Sequence, residues 1–153
     1  MAVLLLCVLV PQTYAAAQTQ TFDTSAGPVK ITPLNHASTL IEAGGKTIYL
    51  DPAKPVKFEG MPKADLILIT DIHGDHMDPD SIKDVSKTDT EIISSPAVAQ
   101  TVTVAKPLAN GESKPGKGYP NKEGRPRWIG LTAATSGLPF VVVVAAKQVR
   151  HHF

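Results

Sequence analysis

The hydrophobic pattern divides the chain into a group of strands followed by an alternation of strands and helices. Alternating apolar and polar positions predict strands at residues 29–32, 38–43 and 46–51. Two glycines separate the last two of these, which is typical of a two-residue hairpin turn. The uninterrupted apolar run at 66–69 predicts a strand that is covered on both faces.

Beyond that strand, Asp78 followed by Pro79 predicts a helix over residues 79–85, with the carboxylate as its cap. Residues 91–94 predict another strand, and 96–102 a second short helix. Three strands and a loop therefore precede a β-α-β-α order, which favours an α/β layered fold. At 153 residues the chain has the size of a single domain.

The two ends of the chain differ from this central part. Residues 2–10 form a nine-residue apolar run that small residues follow at 15–17. This order predicts a signal peptide over residues 1–17, too short to span a bilayer, and a secreted or periplasmic protein. The alternative is a buried N-terminal strand. Residues 18–27 are polar and predict a flexible start, 28–111 hold the layered domain, and 112–153 are predicted to be an atypical, loop-rich segment.

Charge and cysteine usage exclude two classes of site. The chain has fifteen basic and fourteen acidic residues and no dense basic run, so it lacks the electrostatic footprint of a nucleic-acid-binding protein. Cys7 is the single cysteine, which excludes an intrachain disulfide and a thiolate zinc site. A metal site in this chain must therefore be built from histidines and carboxylates.

Four side chains that can bind a metal follow the apolar strand at 66–69. They are Asp71, His73, Asp75 and His76, and a strand end delivers them to one edge of a sheet. Imidazole nitrogen and carboxylate oxygen both suit zinc. Two alternatives remain open at this point: the four groups form a metal site, or Asp75 and Asp78 cap the next helix while His73 and His76 are solvated in a loop.

Residues 29–79 resemble the metallo-β-lactamase superfamily, whose signature H-x-H-x-D-H follows an apolar strand and a threonine. The segment 70–76, TDIHGDH, matches that signature at every named position except the first histidine. Segments 35–42 and 46–52 are similar to its broad metal-dependent hydrolase branch, which includes ascorbate-phosphate lactonase-like proteins. The resemblance implies an αββα sandwich, of which this chain carries the N-terminal part while the second half is largely missing.

The resemblance also implies a function and roles for individual residues. It implies hydrolysis of an ester, lactone, amide or phosphoester bond in a small molecule by metal-activated water, with one or two zinc ions, or manganese or iron. His73 is expected to bind a first metal, and Asp75 and His76 a second, while Asp75 also orients the water as the catalytic residue. Asp71 stands where the family usually has a histidine, and His36 is expected near the site.

The later part of the sequence departs from the family. The family's second half supplies two further histidines and a bridging aspartate, but this chain has no histidine between His76 and His151 and no aspartate after Asp89. We expect either a chain that is shortened or rearranged after about residue 111, or terminal residues His151 and His152 that fold back onto the site. An alternative function follows, that of a catalytically impaired fragment acting as a metal-binding or interaction protein.

A chain that lacks the second half of the sandwich would leave one face of its sheet without a covering layer. We expect some of Leu40, Ile48, Leu66 and Leu68 to be exposed, and the chain to be marginally stable and prone to self-association.

Overall fold

A computed structural model of the chain describes residues 18–24, 27–109 and 112, together with four two-residue strands further along. The predicted signal peptide at 1–17, most of the segment 112–153, and both His151 and His152 lie outside the described residues. The elements are β1 Gln20–Thr24, β2 Gly27–Asn35, β3 Ser38–Ala43, β4 Lys46–Leu50, β5 Leu66–Ile69, α1 Pro79–Val85, β6 Glu91–Ser94, α2 Pro96–Ala99, β7 Lys106–Pro107, β8 Tyr119–Pro120, β9 Pro126–Arg127, β10 Ile129–Gly130 and β11 Ala145–Ala146.

Strands β1 to β7 form one mixed sheet in sequence order. Strands β1 to β4 are an antiparallel meander, whereas β4, β5, β6 and β7 are parallel neighbours. The predicted hairpin is confirmed, since Gly44 and Gly45 join β3 to β4 with φ angles of 57° and 74°. A turn with two positive φ angles matches the twist of the flanking strands, and glycine adopts it without steric cost.

Both predicted helices are present between the parallel strands. The Asp78 side chain caps α1, and the Ser95 hydroxyl accepts a hydrogen bond from the Val98 amide at the start of α2. Helix α2 ends at Ala99, three residues earlier than predicted. The β-branched residues that follow at 101–104 disfavour helix, because their side chains crowd the preceding turn.

The N-terminal strand β1 is a correction to the expected flexible start at 18–27. Residues Gln20–Thr24 pair antiparallel with β2, in register from Gln20 opposite Ile31 to Thr24 opposite Gly27. All five residues of β1 are exposed. Backbone pairing rather than burial places this strand, and an apolar pattern therefore could not reveal it.

The core lies on both faces of the sheet, and the prediction that β5 is covered on both faces is confirmed because all its residues are buried. On one face the sheet packs against α1 and α2, with Leu40, Tyr49, Ile67, Ile69 and Ile92 meeting Ile82, Val85 and Val98. The α/β layered class is thereby confirmed. The second cluster comprises Ile48, Leu66, Leu68, Ile93 and Leu108.

The expected exposure of apolar sheet residues is wrong for the four residues named. Leu40, Ile48, Leu66 and Leu68 are each at most 7% exposed. Leu40 belongs to the helix-covered face, and the other three pack beside one another with Leu108, whose amide donates to the Ser94 carbonyl at 2.8 Å. Within the residues that the structure describes, no helix is long and apolar enough to cross a membrane.

Candidate metal centre

The candidate site lies where β4 and β5 end. These strands are parallel neighbours, so their carboxyl ends meet at the same edge of the sheet. Asp51 follows β4 directly, and its amide donates to the Leu68 carbonyl at 2.8 Å. Thr70 follows β5 directly. The two residues are thus adjacent although nineteen positions separate them in sequence.

Asp51 is the buried acceptor at the base of the site. Its Oδ1 accepts from the Thr70 amide at 2.7 Å, and its Oδ2 accepts from the Thr70 hydroxyl at 2.7 Å. The side chain of His76 adds a third contact, with Nδ1 2.9 Å from the same Oδ2. Burial raises the pKa of the Asp51 carboxyl, and the hydrogen bonds from Thr70 and His76 oppose that rise.

This contact fixes the orientation of His76. With Nδ1 engaged by Asp51, and 3.1 Å from the Thr70 hydroxyl oxygen, Nε2 is left as the nitrogen that can bind a metal. Nε2 lies 3.9 Å from Asp75 Oδ2. The His76 side chain is 23% exposed, and the capping residue of α1 is Asp78. For His76 the alternative of a solvated loop residue is therefore not what the structure shows.

His36 reaches the same point from the turn between β2 and β3. Its Nδ1 lies 3.5 Å from Asp75 Oδ2, and its ring meets the ring of His76 edge to face, with centroids 5.9 Å apart. One ligand atom each of His36, Asp75 and His76 lies within 4.8 Å of the other two. Two imidazoles and one carboxylate form a donor set that suits a divalent transition metal.

The structure separates Asp71 and His73 from this cluster. Asp71 Oδ1 lies 2.5 Å from His73 Nδ1 and accepts from the His73 amide at 3.1 Å, a local turn stabilised by the aspartate side chain. This backbone hydrogen bond lowers the pKa of Asp71. The His73 side chain is 76% exposed. Of the four residues in the signature segment, the structure brings Asp75 and His76 together, and metal binding by Asp71 and His73 stays a prediction.

Asp51 and Thr70 are functional candidates that the sequence analysis did not name as site residues. The available signal was positional, because Asp51 ends one predicted strand and Thr70 directly follows another. Recognising their contact required knowing that β4 and β5 are parallel neighbours, and strand order is a tertiary property.

The loop between β5 and α1 is itself compact. The amides of His76 and Met77 both donate to the His73 carbonyl at 2.9 Å, and Met77 packs against the core. Asp78 then caps α1 by accepting from the Ser81 amide at 2.9 Å. Asp75 and His76 are therefore held between a buried strand and a capped helix.

Two comparisons with known proteins agree with this fold. The beta-lactamase superfamily domain matches the chain over residues 30–129. The chain is also similar to the crystal structure of a "Putative metal-dependent hydrolase" from Parabacteroides distasonis ATCC 8503, with a TM-score of 0.62 and 37% sequence identity. That similarity covers 64% of this chain and 46% of the other, so the matched part is less than half the length of the relative.

The family match covers more than half of the 153 residues and includes the whole candidate site. The matched structure shares the fold, and its name describes a metal-dependent hydrolase. We conclude that this chain belongs to the metallo-β-lactamase superfamily of metal-dependent hydrolases.

Proposed function

We propose that this chain is a metal-dependent hydrolase that cleaves an ester, lactone, amide or phosphoester bond of a small molecule by means of metal-activated water. The observation that carries the proposal is the fixed imidazole of His76. Its Nδ1 lies 2.9 Å from Asp51 Oδ2, while its Nε2 lies 3.9 Å from Asp75 Oδ2. A histidine whose second nitrogen is held by a buried carboxylate is typical of metal ligands.

The residues of the loop after β5 would hold the metal. Asp75 and His76 are the donors that the structure already brings together, and Asp71 and His73 are further donors that the family resemblance implies. We propose zinc, and the same donor types also accept manganese or iron. When bound, the metal supplies a Lewis acid that lowers the pKa of water and polarises a carbonyl or phosphoryl oxygen.

The chain's own groups hold this arrangement in place. Asp51 and Thr70 orient the His76 ring, which would otherwise rotate on the loop. The Asp75 side chain is 49% exposed, so it can orient an attacking water by accepting a hydrogen bond from it.

Metal analysis and hydrolysis assays on the purified chain test this proposal. After dialysis we expect at least about one equivalent of zinc, manganese or iron per chain, and below about a tenth of an equivalent would contradict the proposal. The assay panel comprises a nitrophenyl ester, a lactone, an amide and a phosphodiester. We expect His76→Ala and Asp75→Ala to lower turnover by about 100-fold or more. Asp89→Ala is the matched control, since Asp89 is a carboxylate 73% exposed after α1.

We also propose a secreted or periplasmic location. The support is the apolar run at residues 2–10 and the small residues at 15–17, which suit a signal peptide that is cleaved before Gln18. N-terminal sequencing of the exported protein is the test. A mature chain that begins at Gln18 is expected, whereas retention of residues 1–17 would contradict the proposal.

One observation favours a second candidate function, that of a metal-binding or interaction protein without turnover. In the described part of the chain, the group that could hold a metal has three residues. Two equivalents of bound metal together with turnover of any panel substrate would contradict this second candidate.

A further inference from the structure

We propose that His36 is a ligand of the metal that Asp75 and His76 bind, so that the β2–β3 turn completes the site of the metal ion that binds most tightly. This inference rests on the proposed function, which supplies the metal. It adds a ligand from outside the signature segment 70–76. It also predicts that the first metal ion to bind is held by His36 rather than by Asp71 and His73.

The distances between the donor atoms match those between co-ligands. A tetrahedral centre with bonds of about 2.1 Å places its ligand atoms about 3.4 Å apart. His36 Nδ1 is 3.5 Å from Asp75 Oδ2, and His76 Nε2 is 3.9 Å from the same atom. These two spacings are close to the required value, and one ligand atom from each of the three residues lies within 4.8 Å of the other two.

The same distances are unlike those of a hydrogen-bonded pair. A good hydrogen bond between an imidazole and a carboxylate has a length of about 2.7–3.2 Å, and 3.5 Å is longer. The other histidine–aspartate pair is closer, because His73 Nδ1 lies 2.5 Å from Asp71 Oδ1. One histidine–aspartate pair of the site is therefore in direct hydrogen-bond contact, and the other leaves a gap that an ion can fill.

The backbone holds His36 at this point. Its φ angle is 47°, in the left-handed region that non-glycine residues adopt at an energetic cost. Two residues later, the buried Ser38 hydroxyl donates to the Asp51 carbonyl at 2.6 Å and accepts from the Ala53 amide at 3.2 Å. The turn that carries His36 is thus tied to the segment that orients His76.

Charge and exposure also suit an open metal site. As metal ligands, two imidazoles and one carboxylate contribute a single negative charge in total, which favours a divalent cation. The His36 side chain is 63% exposed and that of Asp75 49%, so solvent reaches the site. A centre with three protein ligands and an accessible position is the arrangement of catalytic rather than structural zinc sites.

Cobalt(II) titration of the metal-free chain tests the inference, with His36→Asn compared against His73→Asn. Asparagine tolerates a positive φ, so we expect His36→Asn to fold, with an apo melting temperature equal to or above that of the unchanged chain. We expect this variant to bind the first cobalt ion about 100-fold more weakly than the unchanged chain, and at least about tenfold more weakly than His73→Asn. X-ray absorption at one equivalent should count two imidazoles in the unchanged chain and one in His36→Asn.

Equal first-ion affinity and an unchanged imidazole count in His36→Asn would overturn the assignment of His36. Weaker first-ion binding by His73→Asn than by His36→Asn would overturn it as well, because the first ion would then be bound by Asp71 and His73. Both of these outcomes leave the proposed function standing. If the unchanged chain binds no cobalt, the proposed function fails and the assignment of His36 fails with it.

Discussion

At the scale of single residues, Asp51 links the backbone of the site to its metal-binding side chains. It is 2% exposed, has a φ of 45°, and accepts three hydrogen bonds, two from Thr70 and one from His76. A non-glycine residue in this conformation is uncommon and is found where the surrounding contacts impose it. The site is therefore preorganised by a residue that is not one of the three cluster members but contacts one of them, His76.

Replacing Asp51 by alanine is expected to affect both stability and metal binding. The Thr70 amide and His76 Nδ1 would lose their acceptor, so we expect a loss of about 1–3 kcal/mol in the free energy of unfolding. The freed His76 ring is expected to weaken metal binding by about 10–100-fold. Urea unfolding of the metal-free chain and competition with a chelator measure the two effects.

The exposed variant Asp89→Ala serves as the control for Asp51→Ala. Unchanged metal affinity in Asp51→Ala, with stability lowered, would show that Asp51 supports the fold without positioning His76.

Of the residues predicted from the signature segment, the structure brings Asp75 and His76 together, and metal binding by each of them stays a prediction. The signature spacing predicted a shared site for four residues, but a spacing along the chain does not determine rotamers. Asp71 and His73 are two residues apart and satisfy each other, which only the folded loop reveals. His36 was expected near the site, and the turn between β2 and β3 places it there.

At the scale of elements, the loop after β5 is held between a buried strand and helix α1. Asp78 accepts from both the amide and the hydroxyl of Ser81, at 2.9 Å and 2.6 Å, and receives the Lys54 ammonium at 3.2 Å. These contacts fix the point at which the loop ends and the helix begins. Because His76 lies two residues before Asp78, the cap also limits the freedom of the site.

Substitution of the cap tests this coupling. We expect Asp78→Ala to lower the free energy of unfolding by about 0.5–2 kcal/mol, because the Ser81 amide loses its acceptor. Asp80→Ala is a matched control, since Asp80 also contacts Lys54, at 3.0 Å, but its side chain is 79% exposed. We expect its effect to stay within about 0.5 kcal/mol. Thermal and urea unfolding of both variants provide the measurement, and equal effects would contradict a capping role.

At the scale of the whole molecule, Tyr49 connects the sheet to the long loop between β4 and β5. Its side chain is fully buried, its hydroxyl donates to the Pro62 carbonyl at 2.9 Å, and its ring meets that of Phe58 edge to face at 5.7 Å. Burial, together with the negative charge of Glu42, raises the pKa of Tyr49 to about 12. Ionisation of this residue therefore opposes folding.

An alkaline loss of stability follows from this raised pKa. Between about pH 10 and pH 12 the unfolded chain releases the tyrosine proton while the folded chain keeps it, so the free energy of unfolding falls as pH rises. Tyr49 alone is expected to contribute a loss of about 1.4 kcal/mol between about pH 9 and pH 11. Tyr49→Phe should lack this contribution.

Urea unfolding of both proteins at the two pH values isolates the contribution of Tyr49, because the lysines titrate equally in each. Parallel pH profiles for the two proteins would show that Tyr49 keeps an ordinary pKa.

The sequence by itself determined the order and type of the central elements. Alternating strands, a glycine pair, a continuous apolar strand and an Asp-Pro helix start are local signals, and β2 to β6, α1 and the start of α2 follow them. The family was also evident from one segment, because metal ligation requires particular residue types at a short spacing.

Tertiary structure alone decided which distant residues meet. The edge strand β1 depends on backbone pairing, and the contact between Asp51 and Thr70 depends on β4 and β5 being parallel neighbours. The approach of His36 to Asp75 depends on a turn with a positive φ. The hydrophobic pattern of a segment indicates which of its residues are buried, whereas a functional site depends on the distances between residues of different segments. Those distances become defined only when the sheet assembles.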